Sequence, residues 1–285
     1  VALPSNVAIP VFISSLLGLS AEETALLINT ALIGAGVVTL LEAAIGTKLP
    51  IVEGPSCSYL TTYSLIILCV RKWGLPPMIA LQYIFGAIIV SAIFEIAVGA
   101  SGILPRLREK LSPVAMSPVV CLIGLALYET GAPYASEHWP MAMLTLILII
   151  LFTFKIGQVR VFFRRSAIFM AVILSWSVCL MGTLAGFFEQ GHPLHVDLSL
   201  MRSSPWIRMP SEIWMPWGPP RFYVPFIVTV IIATMVTIIE EFFDYHSVAE
   251  ICKLETLSSR RINMGILMDG LGTLIAAPLG GVGYT

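Results

Sequence analysis

Apolar residues run along this chain in long blocks separated by short polar stretches, from its first residues to its last. A bilayer core about 30 Å thick takes roughly 20 helical residues to cross. On that criterion nine membrane spans are predicted, at 1–19, 25–46, 51–70, 77–101, 113–130, 140–155, 166–188, 223–250 and 263–280. An odd number of spans puts the two chain ends on opposite sides of the membrane.

Composition supports the same reading. Of the 285 residues 57% are hydrophobic and only 12% charged, with a mean hydropathy of +0.91; soluble domains carry about 25% charged residues. The net charge of −1, with no face or stretch rich in Lys and Arg, excludes nucleic acid as a partner. The five cysteines, Cys57, Cys69, Cys121, Cys179 and Cys252, fall mainly inside apolar runs without CxxC or His-rich spacing. They read as packing residues rather than disulfides or metal ligands. The first residues are apolar with no basic start and no cleavable signal, so the chain is expected to open inside a span whose beginning has been trimmed.

Basic residues fix the predicted orientation. Alternate loops hold eleven (Lys48, Arg106, Arg108, Lys110, Lys155, Arg160, Arg164, Arg165, Lys253, Arg260 and Arg261) against five (Arg71, Lys72, Arg202, Arg208 and Arg221). The positive-inside rule makes the first set cytoplasmic. The outer loop 189–222 is the one long polar segment and carries His192, His195, Trp206, Trp214 and Trp217. Its indoles read as interfacial anchors and its histidines as solvated, since neither has an acidic partner at metal spacing.

Two places could carry chemistry. In the third span, Pro55 removes a backbone donor and Gly54 permits unusual dihedrals, while Ser56-Cys57-Ser58-Tyr59 alternates as a short extended segment would. Non-helical backbone at membrane depth survives only where protein or water covers it, and a half-helix beginning near Tyr59 would aim free N–H groups at whatever occupies the gap. A plain proline kink fits the same residues. In the eighth span, Glu240, Asp244 and Ser247 lie at i, i+4 and i+7 on one helix face, with Glu241 and His246 pointing elsewhere. Acids inside a span are costly and mark substrate or ion paths. A carboxylate at Glu240 could accept hydrogen bonds from a planar heterocycle or a sugar acid while Asp244 holds a cation or proton; Ser, Asn or water within the bundle could also satisfy the pair. Glu42, Glu53 and Glu95, each near a span end or alone, are explained as well by snorkelling or a local bond. Asp269, in Met268-Asp269-Gly270-Leu271-Gly272, reads as organising a close helix contact through its glycines.

At these residues the chain resembles the nucleobase-ascorbate transporters. Gly46-Thr47-Lys48-Leu49-Pro50-Ile51-Val52-Glu53-Gly54 is similar to that family's G-[ST]-[RK]-L-P-I-V-x-G approach to the third span. Leu122-Ile123-Gly124-Leu125-Ala126-Leu127 after Pro118 is similar to its fifth span, and Ser204-Pro205-Trp206-Ile207-Arg208-Met209-Pro210 through Trp217-Gly218 to the outer loop of its animal ascorbate branch. Ile239-Glu240 with Asp244-Tyr245 matches I-E-S-x-G-D-Y; Ile262-Asn263 and Asp269-Gly270 resemble I-N-R-G and E-G. The resemblance covers essentially the whole chain.

It implies an all-α polytopic membrane protein of the seven-span inverted-repeat transporter fold, with about nine of fourteen spans present. Core-domain spans 1–4 would occupy 1–104, gate-domain spans 5–7 would occupy 105–188, the extracellular loop 189–222, and core-domain spans 8 and 9, the incomplete second repeat, 223–285. Substrate would sit between the broken third and tenth spans, bound by Glu240 with Ser56, Cys57, Ser58 and Tyr59, and Asp244 would couple a cation. The departures are Cys57 at the family's aromatic position, which leaves Tyr59 as the stacking candidate, Phe243 at the glycine before Asp244, and an end at Gly283-Tyr284-Thr285, before the tenth span.

The function expected is ion-coupled secondary active transport of a nucleobase, urate or ascorbate across the plasma membrane, driven by Na+ or H+. No enzyme, resident cofactor or metal is expected. The partners expected are the small-molecule substrate, the lipid bilayer and, as one option, a second copy in a homodimer. The alternative is a truncated or divergent paralogue that acts as a membrane interaction protein without transporting. An intramembrane hydrolase is disfavoured because GxGD, HExxH and a facing Ser-His pair are all missing. The nine-span chain alone is expected not to transport, its third-span strand lacking a partner.

Overall fold

A computed structural model describes residues 2–104, 118, 121, 122, 125, 128, 131–159, 161–189, 191–199, 207, 209–254, 257–280 and 282–285. Most of the predicted fifth span, 113–130, lies outside them, as do Arg106, Arg108, Lys110, Arg160, Arg202, Arg208, Trp206 and the Ser204-Pro205 motif. The described residues are helical apart from turns and one β-bridge. The long helices are α1 (Ala2–Leu17), α2 (Ala21–Ala44), α3 (Leu60–Lys72), α4 (Met78–Ser101), α5 (Trp139–Ile150), α6 (Ala167–Leu184), α7 (Val224–Ile251) and α8 (Ser259–Gly280). Six helical segments among the described residues are long and apolar enough to cross a membrane, α5 counting only with the π-helical turns Leu151–Ile156 that continue it.

The chain divides into two compact units, one built from 120–204 and the other mainly from 4–119 and 205–285. In the first, α5 and α6 pack through Phe152, Ala167 and Ala171, and Thr145 Oγ1 shares a 2.7 Å hydrogen bond with Ser175 Oγ. Burial of that polar pair in an apolar helix interface supplies the partner each hydroxyl would otherwise seek in water.

The second unit holds α1–α4, α7 and α8. Local signals start its helices where the sequence places them. Ser20 caps α2 reciprocally with Glu23: its Oγ accepts from the Glu23 N–H at 3.3 Å, and its own N–H donates to Glu23 Oε2 at 2.7 Å. Pro225 sits in the first turn of α7, where its missing N–H leaves no bond unmade. α8 lies against both α4 and α2. The approach is close because Gly270 and Gly99 have no side chain: a Cβ on Gly270 would stand 2.9 Å from the Ile96 nitrogen, and one on Gly99 2.6 Å from that of Leu267. Ile238, Phe242, Tyr245, Ile262 and Ile266 form the apolar core between α7 and α8.

An aromatic group joins the ends of α3, α4 and α7 that carry Arg71, Lys72 and Arg221, the predicted outer side. Trp73 stacks on Phe226 with centroids 5.5 Å apart, and Tyr83 and Tyr223 meet the same ring edge-on. The loop before α7 is tied down there as well: Gln82 Nε2 donates to the Trp217 carbonyl at 2.7 Å, and the Met215 N–H to that of Pro278 at 2.8 Å. Trp217 is buried and Trp214 exposed, so the two indoles expected to act alike are held differently.

Candidate functional site

The predicted third span is broken. Residues 51–56 are irregular or bridged, Cys57–Tyr59 form one 3₁₀ turn, and α3 begins only at Leu60. A continuous, merely kinked helix is thereby ruled out, but the expected extended stretch 56–59 is corrected: extension stops at Ser56. The cause is local. Ser56 Oγ accepts the Ser58 N–H at 3.3 Å, and the Ser56 carbonyl accepts from Tyr59, so the chain turns into the helix early. A second correction concerns the missing partner. The extended piece pairs antiparallel with the segment after α8: Gly54 N–H donates to Thr285 O at 3.1 Å, Thr285 N–H to Gly54 O at 3.0 Å, and Ser56 N–H to Gly283 O at 3.1 Å. Gly283 N–H is taken up by Tyr63 Oη at 2.9 Å, so this backbone is satisfied by protein.

The break brings Ser58 to Glu240. Ser58 Oγ stands 2.9 Å from both Glu240 carboxylate oxygens, across 182 residues of sequence. Its single proton is shared between two acceptors, which fixes the carboxylate while leaving lone pairs on both oxygens for a further donor. Glu240 and Cys57 are half-buried, Ser56 is buried, and no side chain caps the start of α3. The site thus combines a partly open carboxylate, a thiol, hydroxyls and the positive end of a helix. Near the break in sequence or across its bridge, Tyr59, Tyr63 and Tyr284 are each no more than 1% exposed, with Tyr59 and Tyr63 stacked 5.6 Å apart. Tyr59 Oη is committed to Thr234 Oγ1 on α7 at 3.0 Å and its ring to Tyr63, so the residue expected to stack on substrate is buried in packing instead. Asp244, one turn beyond Glu240, is exposed, as is Ser247.

Sequence reasoning missed a cluster. Glu95 on α4, Glu241 on α7 and Asp269 on α8 are each at most 2% exposed, and carboxylate oxygens of all three lie within 4.8 Å of one another. Glu241 does point away from the Glu240 face, as its helical position requires, but toward two further acids. The available signal was that all three sit in apolar helical runs beside small residues, Ser91 and Ala92 near Glu95 and Gly270 next to Asp269, where backbones can approach closely enough for short acids to meet.

Comparison with known proteins places this geometry. A sequence profile described as "Permease family" matches residues 1–285. The chain belongs to this permease family. Among its relatives is nucleobase-ascorbate transporter 7 of Arabidopsis thaliana, 30% identical over 295 residues that cover 98% of this chain and 54% of the relative. Solute carrier family 23 member 2 of Rattus norvegicus is 25% identical over 318 residues, 96% of this chain and 49% of the relative. The chain therefore spans about half the length of these relatives. Among solved structures, the transmembrane domain of a cyanobacterial bicarbonate transporter, BicA, superposes with a TM-score of 0.59 at 15% identity, covering all of this chain and 71% of that one. That likeness shows that this permease family member shares the fold of that transmembrane domain.

Proposed function

We propose that this permease carries a nucleobase or ascorbate across a membrane by ion-coupled alternating access, and that Glu240 and Ser58 bind the substrate. The observation that carries the reading is the Ser58–Glu240 contact: a carboxylate deep in a span, oriented by a hydroxyl from a broken helix, with acceptor capacity left over. Planar heterocycles offer ring N–H donors and ascorbate offers hydroxyls, both suited to that acceptor. Ser56 and Cys57 line the same break. Asp244, exposed one turn away on the Glu240 face, is the proposed cation-coupling group. The named relatives and the fold support transport; in the proposed cycle the larger unit is the core and the smaller the gate.

The test is uptake of labelled uracil, xanthine, urate and ascorbate by vesicles carrying the full-length parent protein, since the nine-span chain alone is expected not to transport, with and without an inward Na+ or H+ gradient. Saturable uptake of one of these, raised by one gradient, is expected, with the gradient effect lost in Asp244→Asn. No uptake of any of the four under either gradient would overturn the proposal.

A further inference from the structure

We infer that the turn between α5 and α6, on the predicted cytoplasmic side, binds the headgroup of an anionic phospholipid through Arg164, Arg165 and Ser166, with Phe162 set among the acyl chains. The turn belongs to the smaller unit, and its charge is unbalanced there. Lys155, Arg164 and Arg165 are exposed and form no ion pair among the described residues. The stretch 138–188 contains no Asp or Glu. The nearest acids along the chain, Glu137 and Glu189, lie past the opposite ends of α5 and α6. The 18 residues of α6 alone span about 27 Å, more than three times the Debye length of about 8 Å at physiological ionic strength. These cations therefore have no counter-charge within their own unit.

Local packing holds the turn in shape. A Cβ on Gly157 would stand 2.5 Å from the Phe152 carbonyl oxygen and 2.7 Å from Arg164 Cβ, so the glycine lets the short helix Val161–Arg165 close against the π-helical turns that end α5. Phe163 packs inward and stacks on Phe152 with centroids 5.5 Å apart. Its neighbour Phe162 is left 64% exposed, next to two exposed arginines. An apolar ring beside arginines at the end of a span has the make-up of an interfacial anchor: the ring enters the acyl boundary while the cations stay at headgroup depth.

Arg164, Arg165 and Ser166 also line one cavity of about 220 Å³ together with Thr153. That is several times the ~30 Å³ taken by one water and below the roughly 300 Å³ at which pockets for whole small molecules begin. The size suits a headgroup whose chains remain outside. Guanidinium groups meet phosphate oxygens as two-pronged donors. Ser166 stands before α6 without capping it, which leaves its hydroxyl to donate as well. A zwitterionic headgroup would bring its own cation toward the two arginines, whereas an anionic one supplies the missing counter-charge, and the cytoplasmic leaflet is where anionic lipids collect.

The site is distinct from the Ser58–Glu240 pair, and its test needs no transport. The purified chain in detergent is titrated with dioctanoyl-phosphatidylglycerol, dioctanoyl-phosphatidylcholine or inorganic phosphate at fixed pH and ionic strength, with bound lipid counted by native mass spectrometry and the thermal midpoint as a second readout. Saturable phosphatidylglycerol that raises the midpoint, phosphatidylcholine bound at least tenfold more weakly, and no displacement of the lipid by an equal concentration of phosphate are expected. Arg164→Gln with Arg165→Gln should weaken phosphatidylglycerol about tenfold or more, while Lys253→Gln, on the same predicted side but in the other unit, leaves it unchanged. Should the loss of two charges spoil membrane insertion, Arg164→Lys with Arg165→Lys keeps the charge and gives up the two-pronged contact, and a several-fold loss is expected. No saturable binding, equal binding of the two lipids, displacement by phosphate at equal concentration, binding unaltered in a folded arginine variant, or an equal loss in Lys253→Gln would each overturn the site.

Discussion

At the scale of single residues, the decisive pair is Ser58 and Glu240, one from a 3₁₀ turn and the other from a long helix. Glu240 could be singled out from sequence because an acid in an apolar run is conspicuous, and the family-like I-E beside D-Y marked it again. Ser58 was less distinct, one of four residues of an expected strand. Glu95, Glu241 and Asp269 were not legible as a group, because their meeting depends on how α4, α7 and α8 pack. Cys57, half-buried in the same break and electrostatically coupled to Glu240, gives a natural reporter. With the other cysteines replaced by serine, substrate at ten times its dissociation constant should slow maleimide modification of Cys57 about tenfold, since roughly a tenth of the sites stay free. Modification at an unchanged rate would show that substrate binds elsewhere.

At the scale of elements, helix existence could be read from apolar block length, whereas the internal shape of the third span could not. Pro55 and Gly54 announced a break, but the turn at Cys57–Tyr59 depends on the Ser56 hydroxyl capping Ser58, and the strand partner is some 230 residues away in sequence at Gly283–Thr285. The packing of α8 on α4 was foreshadowed by the glycines after Met268, which permit the approach seen. Gly270→Ala should destabilise the bundle by about 1–3 kcal/mol, as overpacking does, because its methyl meets, besides Glu95 Cγ at 3.0 Å, the backbone nitrogen of Ile96 at 2.9 Å and carbonyl oxygen of Ala92 at 3.1 Å, which cannot move aside as a side chain can. The thermal midpoint in detergent checks this, and an unchanged midpoint would mean that α4 and α8 sit farther apart.

At the scale of the molecule, the distribution of basic residues predicts that the loop after α7 faces the cytoplasm. Cys252, exposed at the end of that helix beside Lys253, tests it: in a variant keeping only this cysteine, an impermeant maleimide should label inside-out vesicles and spare intact cells. Labelling of intact cells would invert the topology. Membership of the permease family and the transporter fold frame the whole, but the substrate-binding claim rests on one carboxylate. Glu240→Gln keeps the shape of that side chain and removes its charge. Losing a charge-assisted bond to substrate should cost about 1.5–3 kcal/mol, roughly ten- to over a hundredfold in apparent affinity. The most direct measurement is therefore saturable uptake by Glu240→Gln at matched surface expression: its loss, or a rise of that size in the half-saturating concentration, is the predicted result, and uptake equal to that of the parent protein would contradict the substrate site.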